Sequence, residues 1–402
     1  MINLEVPKKL GMLVEQARQS AAGIFRPNSR KYDRLEHTYP VELDTLAALI
    51  DGLNASGQGG AGASGVRRDT KSDEGGVRNG GNLATVLGTI EMCWGDVGLL
   101  LSMPRQGLGN AAIASVANEE QLERFGGKWA AMAITEPEAG SDSAAVRTTA
   151  TLDEATDEYV LNGEKIFVTA GERADAVVVW ATLDRNAGRA AIKSFVVEKG
   201  TPGFELVRLE HKLGIRASDT AQFVLKDVRV PKDNLLGSPE IKGGFAGVMQ
   251  TFDNTRPLVA AMAVGVARAA LEELARLLAE AGVTVDYDRP ASAQSAAAAT
   301  LLELEADYEA AYLLTLRAAW MADNHQPNSL EASMAKAKAG RSATDIALRA
   351  VELTGALGYS EELLLEKWAR DAKILDIFEG TQQIQQLIIA RRLLNKTSGE
   401  LK

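Results

Sequence analysis

Glu379 stands where an apolar run, Ile374-Leu375-Asp376-Ile377-Phe378, stops at Gly380. A carboxylate held beside apolar side chains is desolvated, which raises its proton affinity and suits it to act as a base, although a lone glutamate before a glycine reads more often as a plain surface residue. Thr381 is a natural N-cap for a final helix, whose buried face should carry Ile384, Leu387 and Ile388. A second stretch, Ile134-Thr135-Glu136-Pro137-Glu138-Ala139-Gly140-Ser141-Asp142, offers backbone amides and hydroxyls in a small-residue turn. Such a turn suits an anionic or polar planar ligand, and taken alone it reads equally as an irregular loop. In a third, Lys165-Ile166-Phe167-Val168-Thr169-Ala170-Gly171, strand alternation puts Phe167 and Thr169 on one face. That pair could cover a ring and bond its edge, although a sheet-core phenylalanine fits those residues as well. A fourth joins Arg216, in Gly214-Ile215-Arg216-Ala217-Ser218-Asp219-Thr220, to Arg256, in Phe252-Asp253-Asn254-Thr255-Arg256-Pro257. Guanidinium groups in apolar surroundings call for anionic or carbonyl partners, and ordinary salt bridges are the plainer reading.

The elements that must position these residues change character twice. Up to about residue 128 the pattern is helical, broken by the glycine-rich segment 54–81. From about 129 to 235 it turns β-like. Glu158-Tyr159-Val160-Leu161, then Asn162-Gly163, then Lys165-Ile166-Phe167-Val168-Thr169 predicts a hairpin with a type I′ turn. Residues 176–181, 194–197 and 222–225 predict further strands, and Asp227-Val228-Arg229-Val230-Pro231 closes the region. Beyond about 240, the stretches from Val259 to Glu280 and from Ser292 to Asp323 carry helical apolar spacing. Short connections there favour an antiparallel bundle. Helices, then strands, then helices describe an α+β chain. Gly60-Ala61-Gly62-Ala63-Ser64-Gly65 matches GxGxxG formally, but no strand precedes it and no amphipathic helix follows, so it reads as a surface loop.

Length and composition narrow the classes. At 402 residues the chain calls for more than one core. A net charge of −10 argues against wholesale nucleic-acid binding. No apolar run is long enough to span a membrane, and the N-terminus has no signal-like stretch, so a cytoplasmic location is expected. Cys93 is alone, which leaves a small buried side chain rather than a disulfide. His37, His211 and His325 show no ligand spacing, so no metal is expected.

Taken together, TEPEAGSD, K-x-F-x-T-x-G, R-x-S-x-T, FDNTRP and EGTQQIQ occur in an order and at a spacing that resemble the acyl-CoA dehydrogenase family, over roughly residues 125 to 395. The resemblance implies an acyl-CoA dehydrogenase-like α+β fold: an N-terminal helical domain (1–128), a central β domain (129–238) and a C-terminal four-helix bundle (239–402). It implies a flavoprotein of fatty acid β-oxidation and lipid metabolism that carries FAD. Ile134, Thr135, Gly140, Ser141, Phe167, Val168, Thr169, Gly380, Thr381 and Gln383 would then line the cofactor. Ser141, Asp253 and Arg256 would contact the CoA thioester. Of the two positions where the family places its base, one holds Thr255 here, so Glu379 would remove the α-proton while the flavin takes the β-hydride. The product would be a trans-2-enoyl-CoA, reoxidation falling to an electron-transfer flavoprotein.

The chain departs from the family pattern where a neighbouring subunit completes the FAD site. The expected arginine, phenylalanine and glycine fall on Val283, Asp286 and Tyr287, and the glutamine and second glycine on Glu352 and Ala356. Acidic groups beside a pyrophosphate are unfavourable. The resemblance implies a homo- or hetero-oligomer, a dimer of dimers, and the departure suggests the hetero-oligomer, in which a paralogous subunit supplies that half. A flavin oxidase or monooxygenase of the same fold, and a non-catalytic or nucleic-acid-associated relative, stay open as alternatives. Acyl chain length is not legible.

Overall fold

In the computed structural model the described residues are 6–55, 80–105, 108–241, 244–397 and 400, and side chains 49–55 and 244–254 lie outside the described set. The glycine-rich residues 56–79, with the GxGxxG match, also lie outside it. The chain opens with helices α1 (Gly11–Ser20), α2 (Arg26–Arg34), α3 (Glu42–Ala55), α4 (Gly81–Gly95), α5 (Val97–Leu100), α6 (Leu108–Val116) and α7 (Glu119–Phe125). Strands β1 (Ala130–Ala133), β2 (Thr149–Asp153), β3 (Glu158–Thr169), β4 (Ala176–Thr182), β5 (Ile192–Glu198), β6 (Phe204–Leu209) and β7 (Thr220–Pro231) follow. Helices return as α8 (Gly244–Glu280), α9 (Ala296–Asp323), α10 (Ser329–Thr354), α11 (Ala356–Tyr359), α12 (Leu365–Leu375) and α13 (Gln382–Leu394). The α+β order expected from the sequence is the one observed. No helix among the described residues is long and apolar enough to cross a membrane.

The strands form one seven-stranded sheet in the order β1-β4-β2-β3-β7-β6, with β5 also on β4. Flanked by neighbours, β4 is buried along its whole length, which explains its unbroken apolar run. The predicted hairpin is displaced. Asn162 and Gly163 do not turn: β3 runs through them as one twelve-residue strand, with a register shift against β7 between Leu161 and Gly163. Glycine is needed there for close approach, since a Cβ would sit 2.4 Å from Thr148 Oγ1. The hairpin lies earlier, pairing β2 with β3 from Asp153↔Glu158 to Thr149↔Asn162.

Helices from the two ends of the chain share one core. Leu83, Val86 and Ile90 of α4 join Val264, Leu274, Leu301, Ile346 and Trp368 in a single buried cluster. The α4–α8 crossing is tight because a Cβ on Gly265 would lie 2.5 Å from the Ile90 carbonyl oxygen. Polar ties reinforce it. Asp323, at the end of α9, accepts from the Asn82 and Leu83 amides at 2.9 Å each and so caps the N-terminus of α4. Arg268 makes two bonds of 2.7 Å to the buried Glu91. Lys367, fully enclosed, sits between Asp96 and Asp371, and these carboxylates hold it charged although burial opposes this. Asp371 also accepts from the Ile215 amide at 2.6 Å, fastening the loop after β6 to α12.

Candidate active site

Between α12 and α13 the chain makes two consecutive left-handed residues, Glu379 at φ 57° and Gly380 at φ 94°. A non-glycine residue pays strain in that region, so surrounding bonds must fix it. Lys336 of α10 donates to the Gly380 carbonyl at 2.6 Å. Gln385 of α13 donates to the Glu379 and Gly380 carbonyls at 3.1 Å each. Thr381 accepts from the Ile384 amide at 3.4 Å as the expected N-cap of α13. The predicted apolar face of that helix is corrected by the structure: the buried side chains are Gln382 and Gln385, while Leu387 is 42% exposed and Ile384 and Ile388 are half-buried. Gln385, which clamps the bend, takes one of the inward positions.

The Glu379 side chain points to α8, where its Oε2 accepts from Thr255 Oγ1 at 2.9 Å. Burial pushes the Glu379 carboxyl above its ordinary value, while the Thr255 hydroxyl, Arg256 and Lys336 pull the other way without cancelling it. Arg256 and Thr255 are themselves buried. The structure therefore gathers Glu379, Thr255, Arg256, Gly380 and Thr381, with Gln383 exposed in the first turn of α13. Asp253 lies in α8, its side chain outside the described set.

A second constellation forms on the sheet. Ile134 and Thr135 extend β1, and the Thr135 carbonyl accepts from the Ile166 amide at 2.9 Å, so the first motif lies against the third. The residue that locks them together is one the sequence left without a role. Glu136, 5% exposed, takes Lys165 Nζ at 2.7 Å, Thr148 Oγ1 at 2.5 Å and the Arg147 and Thr148 amides at 2.7 and 2.9 Å. Burial alone would raise this carboxyl, but Lys165 and those donors bring it below its usual range. Lys165 is fully buried, and desolvation lowers it to about 8 against the pull of Glu136. Its Nζ also reaches the Ile134 carbonyl at 3.2 Å. Both acidic and basic members are thus architectural.

At Phe167 the strand breaks register and takes φ 56°, leaving the ring 59% exposed. Thr169 is half-buried, whereas Val168 is fully in the sheet core and offers only its main chain to a ligand. Gly140 and Ser141 are exposed at the turn. An uncovered aromatic ring on the sheet fits a planar heteroaromatic partner such as a flavin.

The departing positions are placed as follows. Val283 packs against the bundle core. The Asp286 amide donates to Gln294 Oε1 at 2.9 Å, and Glu352 is exposed with Arg349 at 2.6 Å. Ala356 opens α11, and Arg289 is exposed. The structure also assembles a group that sequence spacing hid: His211 Nδ1 lies 2.9 Å from Glu36, and the His37 and His211 rings are 5.2 Å apart. The loop after β6 folds back onto the end of α2 to do this, and Lys212 beside it contributes to holding His37 below its ordinary value, behind burial as the main cause.

The helix–sheet–helix chain, with a half-buried carboxylate at a strained bend and an open aromatic on the sheet, is compatible with a flavin oxidoreductase, and comparison with known proteins gives the class. Family profiles match residues 131–228 as acyl-CoA dehydrogenase, middle domain, and residues 242–394 as acyl-CoA dehydrogenase, C-terminal domain. An acryloyl-CoA reductase (NADH) of Anaerotignum propionicum is 33% identical over 98% of this chain and 97% of its own length. The caffeyl-CoA reductase-Etf complex subunit CarC of Acetobacterium woodii is 35% identical over 75% of this chain and 79% of its own. The solved butyryl-CoA dehydrogenase of Megasphaera elsdenii superposes with a TM-score of 0.84 and 31% identity, covering 98% and 100% of the two chains. The chain belongs to the acyl-CoA dehydrogenase family, whose members are flavoproteins, and it is an oxidoreductase acting on acyl-CoA.

Proposed function

We propose that this chain dehydrogenates an acyl-CoA thioester to the trans-2-enoyl-CoA, with Glu379 as the base. The observation that carries the reading is the Glu379 carboxyl itself: raised by burial, it is poised to take an α-proton, and Thr255 fixes the oxygen opposite. Removal of that proton builds negative charge on the thioester oxygen, which needs a fixed donor. Among the described residues the Glu379 N–H makes no hydrogen bond, which leaves it available for that oxygen. FAD, when bound, supplies the acceptor for the β-hydride. Ile134, Thr135, Gly140, Ser141, Phe167, Thr169, the Val168 main chain, Gly380, Thr381 and Gln383 would hold it, and Ser141, Asp253 and Arg256 would meet the CoA ester. By microscopic reversibility the same carboxyl would return the proton in the reductive direction.

In the same reading the chain operates in the cytoplasm as three domains, 1–128, 129–238 and 239–402, and passes electrons to an electron-transfer flavoprotein. The naming of CarC as part of an Etf complex supports that partner. Val283, Asp286, Glu352 and Ala356 support assembly with a paralogous subunit that completes the flavin site. The testing experiment is anaerobic mixing of holoenzyme with a panel of acyl-CoAs. Flavin bleaching by parent protein, abolished in Glu379→Gln, is expected; bleaching retained in that variant would overturn the assignment of the base.

A further inference from the structure

We infer that Lys336 is a positioning residue for Glu379, its buried ammonium group holding the Glu379–Gly380 bend and supplying the charge that favours the carboxylate form of the base. The inference rests on the reading of Glu379 as the base. Lys336 is 0% exposed, and its Nζ lies 2.6 Å from the Gly380 carbonyl oxygen. Gln385, also 0% exposed, already bonds both carbonyls of the bend. A second neutral donor would therefore have satisfied the geometry. A buried ammonium is a costly way to hold a carbonyl, because its desolvation must be offset by nearby anions. Here burial brings Lys336 down to about 8, opposed by Asp376 and Glu379, with Arg256 adding to the fall.

The charged groups around the base come from three elements. Arg256 faces it from α8, Lys336 faces it from α10, and Asp376 stands on the connection out of α12 and pairs at 2.9 Å with Lys373. Thr255 and Gln385 contribute neutral bonds only. Among the described residues, Lys336 is the one group that both touches the peptide of the bend and acts electrostatically on the carboxylate. Removing it should do two things that separate: loosen the bend, and make Glu379 harder to ionise. Gln385 does the first without the second.

The experiment is the pH dependence of anaerobic flavin reduction by acyl-CoA in holoenzyme, for parent, Lys336→Met, Lys336→Arg, Gln385→Met and Glu379→Gln. Lys336→Met should slow reduction about 10- to 100-fold near neutral pH, the scale of a misplaced catalytic group, with apparent substrate affinity little changed. Its acid limb should move to higher pH. Gln385→Met should slow reduction with the acid limb unmoved. Lys336→Arg, which keeps the charge, should leave the acid limb in place and serves if the Met variant does not fold. An unmoved acid limb in Lys336→Met, or an Arg variant shifted like it, overturns the inference. Reduction persisting in Glu379→Gln would instead overturn the assignment of the base, so the two failures are distinguishable.

Discussion

Replacing Lys165 by Met tests whether the two sheet motifs are held together by a buried ion pair. Met keeps the length of the side chain and removes the charge. The perturbation leaves Glu136 enclosed at 5% exposure, with its bonds to Thr148 and the Arg147 and Thr148 amides but no cation. Breaking a buried pair on one side costs about 3–5 kcal/mol. The three remaining donors keep this case at about 3 kcal/mol, since the carboxylate retains most of its bonds. Replacing both partners, Lys165→Met with Glu136→Gln, removes the stranded charge, so the double variant should recover part of the loss and give a coupling energy of about 1–3 kcal/mol. The assay is urea denaturation of the four proteins of the cycle, followed by far-ultraviolet circular dichroism, with bound flavin measured alongside. Flavin retention should fall in Lys165→Met, because the Ile134 carbonyl loses a donor and the strip bearing Thr135 is no longer fixed against Phe167. A single variant within 1 kcal/mol of the parent, or additive losses in the cycle, would refute the reasoning.

Other outcomes follow from the same geometry. Glu379→Gln should be more stable than the parent at pH 8: a carboxyl raised in the folded state weakens folding as pH climbs past its unfolded value, and the gap should close below that value. Equilibrium unfolding at several pH values would show it. Glu136 behaves oppositely, since its lowered folded value gives stability that is complete above the unfolded carboxylate range and is lost as pH falls through the folded one; Glu136→Gln should flatten the acid side of the stability curve. Asp323→Ala strips the cap from α4 and should cost about 1–2 kcal/mol by denaturation.

Much of the fold was legible because composition switches sharply at the borders of the sheet: β1 starts at Ala130, β7 ends at Pro231, and α8 begins at Gly244. The bend at Glu379 has a local signature, an apolar run, a glycine and a capping threonine, but that signature also fits a surface glutamate and pointed to a site only together with the other motifs. Asn162-Gly163 misled because the dipeptide that favours a tight turn also suits a bulge, and only the nearness of Thr148 decides between them. Leu387 misled for a different reason. Its helical spacing is real, but the inward positions went to two glutamines, of which Gln385 fastens the bend, and a hydrophobic count passes over both. Glu136 with Lys165, and His37 with His211, are meetings made by topology, and no window along the chain contains them.

The core shared by the two helical ends has a consequence for how the protein is born. Helix α4 leaves the ribosome with Leu83, Val86 and Ile90 uncovered, and their partners on α8, α9, α10 and α12 follow only as the chain lengthens. Asp323, which caps α4, and Lys367, which neutralises Asp96, are late arrivals too. The sheet can close on its own hydrogen bonds while this apolar surface waits beside it. The N-terminal segment is thus made in a state that must be shielded from other nascent chains until translation is nearly complete. Synonymous codon pauses placed after β7 would lengthen that wait and lower the yield of soluble protein.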